Sequence, residues 1–185
     1  MINRKFFFDQ TRASLFSGSL RTSQVAGLTA ILDEWESKQS KKDDRWLAYM
    51  LATAHHETDR TIQPIEEYGK GKGRQYGTPD PVTGKVYYGR GFVQLTWKAN
   101  YAKMAKVVGV DLVNQPERAL ELGVATTVLF FGMMNGSFTG KKLADYFGPD
   151  VDDWPNARRI INGTDKANLI ADYGHRYYGA ISYTV

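Results

Sequence analysis

The chain has 185 residues, of which 42% are hydrophobic and 24% are charged; it carries a formal net charge of +4 and contains no cysteine. This length and composition predict one folded domain with its own core and exclude a disordered chain. The lack of cysteine excludes a disulfide framework and thiolate zinc sites. The positive charge favours anionic partners such as nucleic acid, membrane surfaces or cell-wall polymers.

The sequence predicts neither a secretion signal nor a membrane-spanning helix. The apolar cluster near the N-terminus, residues 6–8, is too short for a signal-peptide core. The longest nearly apolar run, residues 123–134, falls short of the roughly 20 residues that cross a bilayer. We therefore expect this run to form a buried helix.

Apolar residues at helical spacing predict the first two helices. The first begins at residues 22–23, where a hydroxyl can cap it, and ends in the polar run 37–44. The second begins near Asp43 or Asp44 and ends before Pro64, because the residue preceding a proline is pushed towards an extended backbone.

The composition changes over residues 66–91, where glycines, prolines and short aromatic runs are typical of turns and short strands. A small irregular β-hairpin is expected there. A third helix, for which Thr96 can serve as the cap, is expected to end at Gly109.

Three more helices are expected in the remainder of the chain. One is opened by Pro116 and stops at Asn135. The other two cover residues 156–162 and 166–178, with Gly163 between them as a C-terminal cap. The predicted fold class is mainly α (α+β): one helical domain over all 185 residues, with a small hairpin and no separate wall-binding module.

Glu57 falls on the apolar side of the second predicted helix, at its C-terminal end. At 100° per residue, Glu57 lies within about 20° of Trp46 and Met50. Poor hydration and the negative end of the helix dipole both favour a protonated carboxyl, as general acid catalysis requires. The alternative is that Glu57 reaches water or pairs with Arg60 in the next turn.

Glu66 and Glu67 follow Pro64 in a segment that is expected to be extended. Consecutive side chains of a strand point to opposite faces, so only one of the two can face Glu57 across a cleft, and the other should be solvated. Two carboxylates flanking a gap are what glycoside hydrolysis requires.

Four motifs occur along the chain: HHET at residues 55–58, IEE at 65–67, YYGRGFVQLTWKANY at 87–101 and IING at 160–163. In this order they resemble the family 19 chitinases, and more closely the related phage endolysins of the lysozyme superfamily. The resemblance implies a lysozyme-like helical fold with a small β-hairpin beside the active-site cleft.

The same resemblance implies roles for the candidate catalytic residues. Glu57 corresponds to the general acid, and Glu67 to the base that follows a hydrophobic-x-Glu pattern, although a shift of one residue selects Glu66 instead. Thr96 corresponds to a hydroxyl that helps to hold the attacking water, and the same hydroxyl can also cap a helix.

Five further residues match sugar-binding positions of the family. Gln94, Asn100 and Asn162 correspond to residues that hydrogen-bond sugar hydroxyls and N-acetyl groups, and Tyr88 and Arg90 correspond to residues that line the cleft. Turn and capping roles are the alternatives for each of them.

Two departures from the family pattern favour an endolysin over a plant-type chitinase. Asp59 and Arg60 follow the His-Glu-Thr motif where many members have glycine, and Ala99 replaces an aromatic residue common in chitinases. The short chain without cysteine points in the same direction.

The implied reaction is an inverting hydrolysis of the β-1,4 bond between N-acetylmuramic acid and N-acetylglucosamine in peptidoglycan, with carboxyls roughly 6.5–9.5 Å apart. No metal or organic cofactor is implied.

The expected protein is a monomer that binds peptidoglycan strands, with no nucleic-acid partner and no membrane insertion. It would be made in a host cytoplasm and released to the periplasm and wall with a separate holin-type protein. The alternatives are a chitinase and a non-catalytic wall-binding module.

Two other motifs carry less weight. A zinc site of the metalloprotease type needs a second histidine four residues after His55, and position 59 is an aspartate. The glycines among Lys70, Lys72 and Arg74 lack the ending of a phosphate-binding loop, so these residues are expected to form a basic rim that contacts an anionic polymer.

Overall fold

The computed structural model describes residues 1–38 and 43–182. Over these residues the chain forms six α-helices: α1 (Arg4–Leu15), α2 (Thr22–Lys38), α3 (Asp44–Glu57), α4 (Lys98–Val108), α5 (Leu122–Met134) and α6 (Ala167–Ile181). Two antiparallel sheets contain β1 (Ile65–Glu66) with β2 (Arg90–Gly91), and β3 (Phe147–Gly148) with β4 (Val151–Asp152). The 3-10 turns are Gln75–Gly77, Pro116–Leu120, Leu143–Asp145 and Asn156–Ile160. The predicted fold class is therefore confirmed.

Helix α3 lies at the centre of the hydrophobic core. Asp43 caps its first turn by accepting a hydrogen bond from the backbone nitrogen of Arg45, and residues 47–55 are all buried. The helix packs mainly against α6. Burial of side chains the size of Met50 contributes about 1.5–3 kcal/mol each, so α3 is firmly anchored. Its last residue, Glu57, is therefore presented at the edge of a rigid core.

The segment after α3 is fixed by a close approach to α2. Asp59, Arg60 and Ile62 have φ angles of 49°, 64° and 48°, a left-handed conformation that is unfavourable for residues other than glycine. The carbonyl of Ile62 lies so close to Gly27 that an added Cβ there would be 1.8 Å from the oxygen. The absence of a side chain at Gly27 thus allows α2 to hold the chain that leaves Glu57.

Helix α1 lies outside the predicted elements. Asn3 caps it by accepting a hydrogen bond of 3.0 Å from the backbone nitrogen of Phe6. Phe7, Thr11 and Leu15, each four residues apart, form its buried face. This four-residue spacing of buried residues is typical of one face of a helix, so the sequence contained a signal for α1 that was not recognised.

Several predicted boundaries agree with the structure. Helices α2 and α3 begin at the expected residues, and Gly109 ends α4 in the left-handed conformation with φ 68°. Asn135 follows the last residue of α5, as expected. The predicted polar run 37–44 lies partly outside the described residues.

Other boundaries were wrong. The helix expected from Pro116 is divided, because the 3-10 turn Pro116–Leu120 is followed by an extended Glu121 before α5 begins. The helix expected at residues 156–162 is a 3-10 turn, and Gly163 lies beyond its cap at Ile161. The sheet formed by β3 and β4 was not predicted.

The predicted hairpin is present as β1 and β2, joined by the long connection 67–89. Ile65 pairs with Gly91, and Glu66 pairs with Arg90. The pairing continues for one more residue, because the backbone nitrogen of Glu67 donates a hydrogen bond of 2.8 Å to the carbonyl of Gly89. This register determines the faces to which the two glutamates point.

None of the helices in the described residues has both the length and the apolar composition needed to cross a membrane.

Candidate active site

Glu57 forms an ion pair with Arg158 at the C-terminal end of α3. The two side chains are only 15% and 5% exposed. Arg158 also donates from Nε to the carbonyl of Asp165 at 3.1 Å, which fixes the plane of its guanidinium. The carboxylate of Glu57 is thus held in one place by a buried cation.

Sequence analysis did not identify this partner. Burial and the helix dipole act locally on Glu57, whereas this cation comes from about a hundred residues further along the chain. The alternative partner, Arg60, instead donates to the carbonyl of Leu15 at 3.2 Å. The sequence signal for Arg158 is its place in the turn that leads into the IING motif.

Glu66 lies in a network of donors on one face of the β1–β2 sheet. Its Oε1 accepts a hydrogen bond of 2.6 Å from the hydroxyl of Tyr88, and Arg90 Nε lies 3.6 Å away. Lys70 Nζ lies 3.0 Å from Oε2. The Tyr88 hydrogen bond is the main cause that lowers the pKa of Glu66; Lys70 and Arg90 act in the same direction and burial opposes them. A carboxylate turned away from the cleft was expected to be solvated, whereas Glu66 is paired.

Tyr88 and Arg90 support Glu66 from beneath the surface. They are only 8% and 5% exposed. The guanidinium of Arg90 lies 3.7 Å from the centre of the Tyr88 ring and donates to the hydroxyl of Tyr101 at 3.0 Å. Tyr88 and Arg90 therefore contact the candidate carboxylate Glu66 from the buried side, and their role in lining the cleft stays a prediction.

Glu67 points to the opposite face, as strand alternation predicts. Its carboxylate accepts hydrogen bonds of 3.1 Å from the hydroxyl of Tyr76 and 3.2 Å from the backbone nitrogen of Gly89. Directly opposed residues of an antiparallel pair point to the same side. A Cβ on Gly89 would lie 2.8 Å from Oε1 of Gln94, so Glu67 and Gln94 share one side of the sheet.

A cavity of about 240 Å³ lies on this side of the sheet and brings together three predicted site residues, Gln94, Thr96 and Asn100. Tyr76, the hydrogen-bond donor to Glu67, also lines it. So does Ile161, whose backbone nitrogen donates to the carbonyl of Arg158, the partner of Glu57. Glu67 is therefore linked to the cavity wall through its hydrogen bond with Tyr76. Glu57 is linked to it through Arg158 and the turn that ends at Ile161.

Backbone hydrogen bonds fix the three predicted residues that line the cavity. Thr96 Oγ1 donates to the carbonyl of Gln94 at 2.7 Å, and Asn100 Nδ2 donates to the carbonyl of Thr96 at 2.9 Å. Gln94 Nε2 donates to the carbonyl of Ile65 at 3.2 Å. These bonds leave the side-chain oxygens of all three residues available as acceptors for a ligand or water.

Thr96 does not act as a helix cap. The residue at the cap position of α4 is Trp97, and no side chain caps the helix. Trp97 has a φ of 75°, is 45% exposed and packs edge-on against Tyr76, with ring centres 5.3 Å apart. Sequence analysis missed both aromatic residues. The only sequence signal for Trp97 is that it follows the Gln-Leu-Thr motif.

Asn162 lies on the surface beyond the cavity wall. Its Oδ1 accepts a hydrogen bond of 2.9 Å from the backbone nitrogen of Gly163. Its own backbone nitrogen donates to the carbonyl of Arg158 at 3.1 Å. The structure therefore places this predicted sugar-binding residue in the turn that follows Arg158.

The two histidines before Glu57 have different surroundings. His55 is fully buried, its Nδ1 lies 2.9 Å from the hydroxyl of Tyr177, and burial lowers its pKa to about 4. Burial also lowers the pKa of the half-buried His56, against the opposing charge of Glu57. Among residues 1–38 and 43–182, no cluster of three histidine, aspartate or glutamate side chains could hold a metal ion.

Helical architecture, candidate carboxylates on separate elements and a polar cavity between their partners define a site of the class found in glycoside hydrolases. Residues 39–141, more than half of the chain, match the family Chitinase class I, glycoside hydrolase family 19. The protein belongs to this family.

Curated relatives resemble part of the chain. An endochitinase of Arabidopsis thaliana is 40% identical over 74 residues, covering 40% of this chain and 26% of the relative. Acidic endochitinase SP2 of Beta vulgaris is 33% identical over 103 residues, covering 52% and 35%. Inactive chitinase-like protein 1 of Hevea brasiliensis is 44% identical over 46 residues, covering 23% and 15%. The matches thus span about a third or less of these relatives.

Solved structures share the fold over nearly the whole chain. A bacterial family 19 chitinase has a TM-score of 0.66 and 23% identity, covering 99% of this chain and 96% of its own. Chitinase C from Streptomyces griseus has a TM-score of 0.65 and 19% identity, covering 99% and 77%. At these identities the likeness concerns the fold.

Proposed function

We propose that this protein hydrolyses β-1,4 glycosidic bonds in glycans that contain N-acetylglucosamine, by an inverting mechanism. The observation that carries the proposal is the position of Glu67. Its carboxylate is oriented by Tyr76 and the backbone of Gly89 on the same side of the sheet as the cavity with Thr96 and Asn100. Family membership supports the same chemistry.

In the proposed mechanism, Glu57 in its protonated form donates its proton to the glycosidic oxygen, and the carboxylate that results is the form that pairs with Arg158. Glu67 takes a proton from a water that attacks the anomeric carbon. The leaving sugar departs with a new hydroxyl, and the water oxygen becomes the new anomeric hydroxyl. Thr96 Oγ1 positions this water by accepting a hydrogen bond. Gln94 and Asn100 hold the sugar through their free side-chain oxygens. A water between the two carboxylates requires a separation of roughly 6.5–9.5 Å.

We propose peptidoglycan as the substrate, cut between N-acetylmuramic acid and N-acetylglucosamine. The net charge of +4 and the exposed Lys72 and Arg74, which precede the cavity residue Tyr76 in the chain, favour a polymer with carboxylate groups. In this proposal the protein is a phage endolysin, made in the host cytoplasm and released to the wall with a separate holin-type protein.

Chitin is the second candidate substrate. Two of the curated relatives and both solved structures named above are chitinases, and both candidate substrates contain N-acetylglucosamine. A binding protein without turnover is the third candidate, because one relative is named as inactive.

Digestion of purified peptidoglycan and of chitin, followed by mass spectrometry of the new reducing ends, distinguishes the three candidates. We expect new muramic acid reducing ends from peptidoglycan with the wild-type protein and none with Glu57→Gln. Faster release of N-acetylglucosamine ends from chitin would favour the second candidate. Binding to either polymer without new ends, by a folded protein, would reject the proposed hydrolysis.

A further inference from the structure

We infer that Asn162 is a site of spontaneous deamidation, which would turn its side-chain amide into a carboxylate in the turn that follows Arg158, the ion-pair partner of Glu57. The chain contains two Asn-Gly pairs, Asn135-Gly136 and Asn162-Gly163. Glycine carries no side chain that would hinder its backbone nitrogen from approaching the preceding asparagine. Both pairs therefore satisfy the sequence requirement, and their local structures differ.

At Asn162 the reacting groups are already adjacent. The backbone nitrogen of Gly163 lies 2.9 Å from Oδ1 of the Asn162 side chain. Both residues are exposed, so water reaches them. A Cβ at Gly163 would meet nothing within 4 Å, which shows that the loop around the nitrogen is open.

At Asn135 the side chain is turned away from the following residue. Its Nδ2 donates a hydrogen bond of 2.9 Å to the carbonyl of Phe131, in the last turn of α5. Gly136 has a φ of 66° and packs so closely against Gly140 that an added Cβ would lie 2.9 Å from its carbonyl oxygen. Asn135 is thus an internal control with the same two-residue sequence.

The reaction needs only water. The backbone nitrogen of Gly163, after losing its proton, attacks Cγ of Asn162; the N–Cγ bond forms, the Cγ–Nδ2 bond breaks, and the side-chain nitrogen leaves with protons from solvent as ammonia. Water then opens the five-membered imide at either carbonyl. The products are aspartate, or isoaspartate with an additional methylene in the backbone.

The new carboxylate would lie in the turn that holds Arg158. The backbone nitrogen of Asn162 donates to the carbonyl of Arg158 at 3.1 Å, and Arg158 is the ion-pair partner of Glu57. An added negative charge in this turn changes the electrostatic surroundings of Arg158, and the modification removes the side-chain amide that was predicted to bind sugar. This consequence rests on the proposed function, whereas the modification itself does not.

Incubation of the purified protein at neutral and mildly alkaline pH, followed by peptide mapping and isoaspartate detection, tests the modification. We expect the peptide with residues 162–163 to gain the product faster than the peptide with residues 135–136, and faster at higher pH. Gly163→Ala, which meets no steric obstacle, should slow the reaction. Equal or faster reaction at Asn135, an undiminished rate in Gly163→Ala, or no product at Asn162 would overturn the inference.

The consequence is tested with Asn162→Asp, which has the charge of the modified residue. We expect the KM for a soluble glycan substrate to rise about tenfold, as for the loss of one hydrogen bond. Asn135→Asp, on the surface at the end of α5, should leave KM unchanged. An unchanged KM in Asn162→Asp would overturn the consequence. The wild-type protein in the same assay reports separately on the proposed hydrolysis.

Discussion

Arg158 holds the carboxylate of Glu57 in an ion pair in which neither side chain is more than 15% exposed. Arg158 lies in the 3-10 turn Asn156–Ile160, and Glu57 is the last residue of α3, the central helix of the core. Removing one partner of a buried ion pair leaves the other charge without compensation.

Arg158→Met should therefore lower the free energy of unfolding by about 3 kcal/mol. Methionine keeps much of the apolar stem, so the loss reports mainly on the charge. In a Glu57→Gln background the same substitution should have a smaller effect, because no carboxylate is left unpaired. Urea unfolding of the wild type, the two single variants and the double variant measures this coupling, and additive effects would show that the pair contributes nothing jointly.

Glu67→Gln should lower kcat by about a hundredfold or more while the protein remains folded, because a glutamine cannot accept a proton from water. Glutamine has the same shape and keeps one acceptor oxygen, so it can retain one of the two hydrogen bonds that Glu67 accepts, from Tyr76 at Oε1 or from Gly89 at Oε2. Glycan turnover and thermal unfolding should be measured together. Retention of turnover by Glu67→Gln would remove this residue from the mechanism.

Glu66→Gln should lower stability more than turnover. The substitution weakens the pairing with Tyr88, Lys70 and Arg90 and should reduce the free energy of unfolding by about 1–2 kcal/mol. The pKa of Glu66 is lowered in the folded state from its ordinary value of 4.5. The stability that Glu66 contributes is therefore fully present above pH 4.5 and is lost as the pH falls through the folded pKa. A larger loss of kcat in Glu66→Gln than in Glu67→Gln would reverse the assignment of the base.

The buried His55 should make the protein less stable in mild acid. Its folded pKa of about 4 lies below the ordinary 6.5, so the unfolded chain binds more protons between these values. Stability should therefore fall by about 3 kcal/mol as pH decreases from 6.5 to 4. Urea unfolding across this range should show a flatter dependence in His55→Gln. The exposed His175→Gln serves as the control and should keep the wild-type slope.

Thr96→Val should lower kcat about tenfold or more, because valine has similar size but no hydroxyl to position water. Thr96→Ser keeps the hydroxyl that donates to the carbonyl of Gln94 and should retain most of the activity. Comparison of kcat with KM distinguishes water positioning from sugar binding. Equal losses in both variants would assign Thr96 a packing role.

The sequence predicted those features that depend on local pattern. The apolar stripe places Glu57 at the end of a helix, and strand alternation separates Glu66 from Glu67; the structure has both. Gly109 ends α4 in the left-handed conformation, which glycine adopts without strain, and Asn135 follows the last residue of α5. Helix α1 also has a local signal, in the spacing of its buried residues.

The remaining features depend on contacts between distant segments. Arg158 reaches Glu57 only through the packing of a 3-10 turn against the core, and no local pattern specifies that approach. The motif identified Tyr88 and Arg90 but not their depth, which is set by Tyr101 of α4 beneath them. Periodicity alone also could not distinguish a 3-10 turn from an α-helix at residues 156–160.

Gly27 gives α2, a helix that does not line the cavity, an influence on catalytic geometry. Any side chain there would collide with the carbonyl of Ile62 and displace the segment that follows Glu57. The acid would then shift relative to Arg158 even though every residue of the cavity were unchanged. Mutational screens for activity should therefore recover position 27 together with the cleft, while the exposed positions of α2 tolerate replacement.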